Sequence, residues 1–215
     1  MAKNASATLQ SESNSPKSKQ SKTLRGRDLI SIGIFTAIYF VLNFICMLLG
    51  GLHPALWIFM PALIALITGI PYMLMCSKVS KFGAVLIMGI ITALLYFVTG
   101  MFTPFIVVLM LICCLVAELI RYATKYNSFW GNTISFAIFS LGMCGSPLPI
   151  WTMRESFFAQ IESQGMSAEY VTTLASLTGD YMLPVMVIAT FVCGIVGALI
   201  AKALFRKHFV KAGLV

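Results

Sequence analysis

From Leu29 to Ser77 not one Asp, Glu, Lys or Arg interrupts the chain. A stretch of that length is enough for two crossings of a bilayer, at about 20 residues each. It is broken once, at "GGLHP", where Gly and Pro punctuate a turn. Further along, apolar runs of similar kind recur. Six spans are expected, over residues 29–49, 55–75, 82–98, 102–120, 130–150 and 181–205. Backbone groups in hydrocarbon must be satisfied within the segment, so the spans are helices. Barrel strands would alternate over segments of about ten residues, and no such alternation occurs.

Charge is scarce: 10% of the 215 residues, against 59% hydrophobic. A soluble domain carries roughly 25% charged residues. The net charge of +8 could suggest nucleic acid in a soluble protein. Here the basic residues follow the positive-inside pattern instead, and no nucleic-acid partner is expected. They fall before the first span, in the connections holding Lys78 with Lys81 and Arg121 with Lys125, and at the end of the chain from Lys202 on. With six spans and both termini cytoplasmic, 14 of the 15 basic residues are inside. Arg154 is the exception. Residues 1–24 are Ser- and Lys-rich without apolar periodicity and are expected to be a disordered cytoplasmic tail. That tail does not read as a cleaved signal peptide, because the following apolar stretch is too long. Residues 25–215 form the membrane domain.

The connection from Trp151 to Asp180 is the one long outer loop. Its pattern predicts two short amphipathic helices. Phe157, Phe158 and Ile161 share a face of the first, Gly165 breaks it, and Ser167 caps a second carrying Tyr170, Val171, Leu174 and Leu177.

The chemistry expected is binding rather than catalysis. There is no P-loop pattern, and no Gly precedes a Lys. His53 and His208 fall on opposite sides of the expected membrane and cannot share a metal. The six cysteines lie in apolar runs without metal-ligand spacing and read as small buried hydrophobes. No catalytic residue, metal or cofactor is assigned. Glu118 and Arg121 form an i,i+3 pair on the fourth span, read as structural.

Candidate substrate contacts lie at the outer ends of the spans: Asn43, His53, Trp57, Tyr96, Trp151, Arg154 and Tyr181. Trp57 and Tyr181 can equally serve as interfacial anchors. The Asn43 amide needs a partner, either another helix or a substrate. Arg154 is either a snorkelling anchor, a partner for a nearby acid such as Glu155, or a contact for an anionic substrate group. Gly33, Ala37 and Val41 form a ridge at four-residue spacing on the first span, with Gly194, Gly197, Ala198 and Ala201 similar on the last. Such ridges serve close packing inside a bundle or docking of a partner protein.

The chain resembles the substrate-binding S components of energy-coupling factor (ECF) transporters, in particular the Trep_Strep (MptD) group. The resemblance is carried by "LRGRDLISIGIFTAIYFVLN", "SPLPIWTMRESFFAQ", "GMSAEYV" and "GALIAKALFRKHFVKAGLV", and runs from about residue 24 to 215. It implies a six-helix protein of the cell membrane that captures a small molecule outside. It also implies docking to a transmembrane coupling protein bearing two ATP-binding-cassette subunits. In many members docking uses A-x-x-x-A on the first helix; here the ridge is Gly33, Ala37, Val41. The alternatives are an integral membrane enzyme or a ligand-free interaction subunit.

Overall fold

The computed structural model describes residues 23–100 and 103–205. The expectations for the tail therefore fall largely outside the described residues, as do His208 and the basic residues from Arg206 on. Within them every regular element is helical. The first helix, α1, runs Gly26–Gly50. Asp28 in its first turn accepts from the Arg25 amide at 2.7 Å and from Lys81 Nζ at 2.6 Å. One carboxylate thus starts the helix and ties it to a distant turn.

The apolar run expected as a single span over 55–75 is two helices, α2 (Pro54–Ile58) and α3 (Met60–Lys78). His53 caps α2 by accepting from the Ala55 amide at 3.1 Å. Pro54 and Pro61 each occupy a first turn, where a missing N–H is tolerated, and Pro61 forces the break at Phe59. α4 (Ala84–Val98) and α5 (Pro104–Ala123) follow, the latter capped by Thr103, which accepts from the Ile106 amide at 3.3 Å.

The fifth expected span, 130–150, is also not one helix. α6 (Phe129–Leu141) ends in a 3-10 turn over Gly142–Gly145, well before Pro147 and Pro149. The reason is contact with α5. A Cβ on Gly142 would stand 3.0 Å from the Met110 Cα, and one on Gly145 only 2.7 Å from the Ile106 Cα. The backbones touch there, and helical geometry gives way to keep them touching.

A four-residue helix α7 (Pro149–Thr152) leads into the long connection. It forms the two predicted helices, α8 (Arg154–Ser163) and α9 (Ala168–Leu177). Gly165 separates them at φ +93°, and Ser167 caps the second by accepting from the Tyr170 amide at 3.2 Å. The last helix, α10, is Met182–Leu204.

α1, α3, α5 and α10 are long and apolar enough to cross a membrane by length and composition. α4 is apolar but has 15 residues, and α6 has 13. At 1.5 Å per residue α4 is about 22 Å long, short of a hydrocarbon core of about 30 Å.

α3 stands at the centre, packed against α10, α1 and α6, while α5 packs on α6 and α4. α3 and α10 cross at Gly69 and Gly197, where a Cβ on Gly197 would lie 2.5 Å from the Ala65 carbonyl oxygen. Lipid tails are as apolar as leucine, so packing and hydrogen bonds hold such bundles. Both are present. Tyr72 packs on Phe136 and Phe139, its hydroxyl lies 2.7 Å from Ser135 Oγ, and Ser135 donates to the Ala117 carbonyl at 2.8 Å. One hydroxyl pair thereby joins α3, α6 and α5.

Candidate functional site

Two ends of the bundle differ in chemistry. At one, Asp28, Lys81 and Arg121 gather near the α3–α4 turn. At the other, α8 and α9 fold over the ends of α1, α2 and α5 and enclose a cavity of about 570 Å³. That lies within the range of small-molecule sites, about 300–1,000 Å³.

The cavity is built from element ends. Met47 and Leu48 come from α1, Trp57 from α2 and Phe105 from α5. Ser146 and Pro149 close the side where α6 gives way to α7. α8 contributes Ser156, Phe157, Gln160, Ile161 and Gln164, which share one face because positions three and four apart align along a helix. Met166, Tyr170 and Leu174 complete the wall from the α9 side. A second apolar cluster, separate from the main core, holds this cover in place. Ile58, Ile150, Phe157, Ile161, Val171 and Leu174 form it.

Three side chains lock the cover through four hydrogen bonds. The Tyr170 hydroxyl donates to the Gly50 carbonyl at 2.9 Å, pinning α9 to the end of α1. Burial pushes the Tyr170 phenol up to about 12. Arg154 donates to the Ala175 carbonyl at 2.6 Å and the Thr178 carbonyl at 3.0 Å. These are carbonyls of the last turn of α9, where a cation also meets the negative end of the helix dipole. Its guanidinium lies 5.2 Å from the Phe158 ring centroid. Trp151 Nε1 donates to the Gly179 carbonyl at 3.2 Å.

Of the residues singled out in the sequence, Trp57 lines the cavity, and its indole N–H is buried with no hydrogen-bond partner. The others stand elsewhere. Asn43 is buried, donates to the Tyr39 carbonyl at 2.9 Å and accepts from the Tyr96 hydroxyl at 3.4 Å, so α1 and α4 satisfy each other. His53 is an exposed cap, and Tyr181 is 67% exposed at the start of α10. Trp151 and Arg154 act as struts of the cover. The cavity residues that sequence reasoning passed over include Ser146, Ser156, Gln160 and Gln164. The last three recur every four residues along α8, a polar line beside the apolar one at Phe157 and Ile161, and that spacing was there to be read.

The two small-residue stripes divide. On α10, a Cβ on Gly194 would stand 2.8 Å from the Ala137 Cα, and Ala198 and Ala201 are fully buried. On α1, a Cβ on Gly33 would meet nothing within 4 Å, and Ala37 and Val41 are exposed. The first stripe is used inside the bundle; the second faces out.

At the opposite end, Glu118 and Arg121 do not bond each other. Glu118 accepts from the Val85 amide at 2.9 Å, while Arg121 donates to the Val79 carbonyl at 2.8 Å and to Asn132 Oδ1 at 3.1 Å. Both are buried and serve the backbone of the α3–α4 turn. All six cysteines are free, and five are buried. Among the described residues no group of three His, Cys, Asp or Glu side chains is placed to hold a metal.

A family model described as a hypothetical bacterial integral membrane protein (Trep_Strep) matches residues 26–211. No curated protein and no solved structure matches the chain.

Proposed function

The chain belongs to the Trep_Strep family of hypothetical bacterial integral membrane proteins, and from that premise we propose that it is the substrate-binding S component of an ECF importer. It captures a small molecule outside the cell and docks to a coupling protein with two ATPase subunits. The observation that carries this reading is the cavity of about 570 Å³ beneath α8 and α9. Its cover is held by a separate apolar cluster and by backbone hydrogen bonds, as a binding cover must be.

Six spans are counted when α4 and the α6 segment cross along with the four long helices. With both termini cytoplasmic, the basic end faces the cytoplasm and the cavity faces out, as the distribution of Lys and Arg favours. The outward ridge of Gly33, Ala37 and Val41 supports docking, since small residues admit a partner backbone closely. A chain without a P-loop then draws its energy from subunits that have one.

Affinity purification from native membranes tests the reading. A coupling protein with two ATPases is expected to co-purify. Recovery of the chain alone, with neither ATPases nor bound small molecule, sinks it.

A further inference from the structure

We infer that the cavity beneath α8 and α9 takes an uncharged molecule with a flat apolar part and a neutral polar group matched to Ser146. This rests on the capture reading and narrows it to a substrate class.

The cavity wall contains no Asp, Glu, Lys, Arg or His among the described residues. A charge moved from water into such a wall loses its hydration and gains no counter-charge. An anion has two other sources of compensation to look for, and both fall short of a full positive charge at the wall. Arg154 is outside the wall, with both terminal nitrogens on α9 carbonyls. The N-terminal end of α5 does face the cavity, through Thr103, Pro104 and Phe105. A helix start attracts anions through its free N–H groups. Here Pro104 has none and the Ile106 amide is held by the Thr103 side chain at 3.3 Å, so the first turn is left with the Phe105 amide. A cation would meet ring faces, which attract it modestly, but no carboxylate to neutralise it among the described residues.

What the wall offers is apolar surface with sparse neutral polar groups. Trp57, Phe105, Phe157 and Tyr170 supply aromatic surface, with Met47 and Met166 as adaptable fillers. The Trp57 indole N–H is a donor only and is buried without a partner. That N–H is shut off from water although the cavity is open to it, so it faces the packed wall and not the cavity space. Ser146, itself 6% exposed, adds a hydroxyl that donates or accepts. The amides of Gln160 and Gln164 stand on the exposed face of α8 at the rim. The Tyr170 hydroxyl is already committed to Gly50. The polar match asked of a ligand deep in the site is therefore a neutral donor or acceptor for the Ser146 hydroxyl.

The test uses purified full-length protein in detergent and pairs of compounds that share a ring and differ in charge: nicotinamide with nicotinate, thymine with orotate, thymidine with its 5′-monophosphate, and indole-3-acetamide with indole-3-acetate. Thermal shift ranks the pairs, and titration gives affinities. The compounds released on denaturation from protein purified from native membranes are identified in parallel by mass spectrometry. The expected result is that the tightest ligand from either arm is neutral at pH 7. Its charged counterpart should bind at least about tenfold more weakly, the factor that one lost hydrogen bond or more confers. Ser146→Ala, which removes the hydroxyl and little volume, should weaken the neutral ligand about three- to tenfold. A carboxylate, phosphate or ammonium compound bound more tightly than its neutral counterpart overturns the inference and leaves the capture reading standing. So does a neutral ligand indifferent to Ser146→Ala. No ligand from either arm overturns the inference too, and recovery of the coupling complex then decides whether the transport reading survives it.

Discussion

Replacing Arg154 by methionine should loosen one helix and leave the bundle intact. The side chain makes two charge-assisted bonds to the last turn of α9, at 2.6 and 3.0 Å. Hydrogen bonds to charged groups contribute about 1.5–3 kcal/mol each when well shielded. Arg154 is exposed, so solvent competes for both, and a combined loss of about 1–2 kcal/mol is the expected scale. Methionine keeps an apolar stem beside Phe158, which isolates the polar loss. Hydrogen exchange followed by mass spectrometry reads the effect directly, because local opening sets the rate. Amides of α9 should exchange roughly 5–30 times faster, the factor that 1–2 kcal/mol gives, while those of α3 and α10 stay unchanged. Arg154→Lys should fall between, since one ammonium cannot serve both carbonyls in the same planar arrangement. Ligand affinity should fall by no more than the population of the closed cover falls. Unchanged α9 exchange together with a large loss of affinity would refute the strut role and return Arg154 to the ligand.

Gly197→Ala or Gly69→Ala should cost about 1–3 kcal/mol of thermal stability in detergent, since each new methyl meets backbone across the α3–α10 crossing. Gly33→Ala should be near neutral, and equal damage at Gly33 would contradict the packing described. Ala37→Leu or Gly33→Leu should lower recovery of the coupling complex while leaving the melting temperature and ligand binding of the isolated chain within error; undiminished recovery excludes the ridge as a docking face. Tyr170 gives a pH dependence. Its folded pKa of about 12 is raised above the ordinary value of about 10, so its contribution is complete below pH 10 and is lost as pH rises toward 12. The melting temperature of the native protein should therefore drop further between pH 9.5 and about 11.5 than that of Tyr170→Phe, and identical slopes would discount the Gly50 contact.

What the sequence made legible was local. The positions of the apolar runs, the break at Gly165 and the cap at Ser167 depend on residues within one turn of each other, and each appears in the structure. What it hid was tertiary. The helix end at Leu141 lies inside an apolar run, which carries no periodicity to mark a boundary, whereas the break at Phe59 is announced locally by Pro61. The α6 ending follows from backbone contact with Met110 and Ile106, which are more than thirty positions away in the chain. Asn43 was recognised as needing a partner, but which one required Tyr96 to be brought beside it. Arg154 was noticed for its isolation in charge, and its partners are carbonyls, which every residue has and no sequence pattern announces. The two small-residue stripes read alike as text, and only the packing of α10 against α3 and α6 separates them.

The buried Glu118 and Arg121 bear on how the chain enters the bilayer. Either residue at the centre of a lone helix makes insertion less favourable by roughly 2.5–3.5 kcal/mol, less near an end. Their backbone partners, the Val85 amide and the Val79 carbonyl, belong to a turn that leaves the ribosome before α5 does. Each charge on α5 thus meets a backbone partner that precedes it in the chain. Asn132, which completes the Arg121 shell, arrives one helix later. The three side chains thereby join consecutive helices: Glu118 holds the start of α4, Arg121 the end of α3 at Val79, and Asn132 brings in α6.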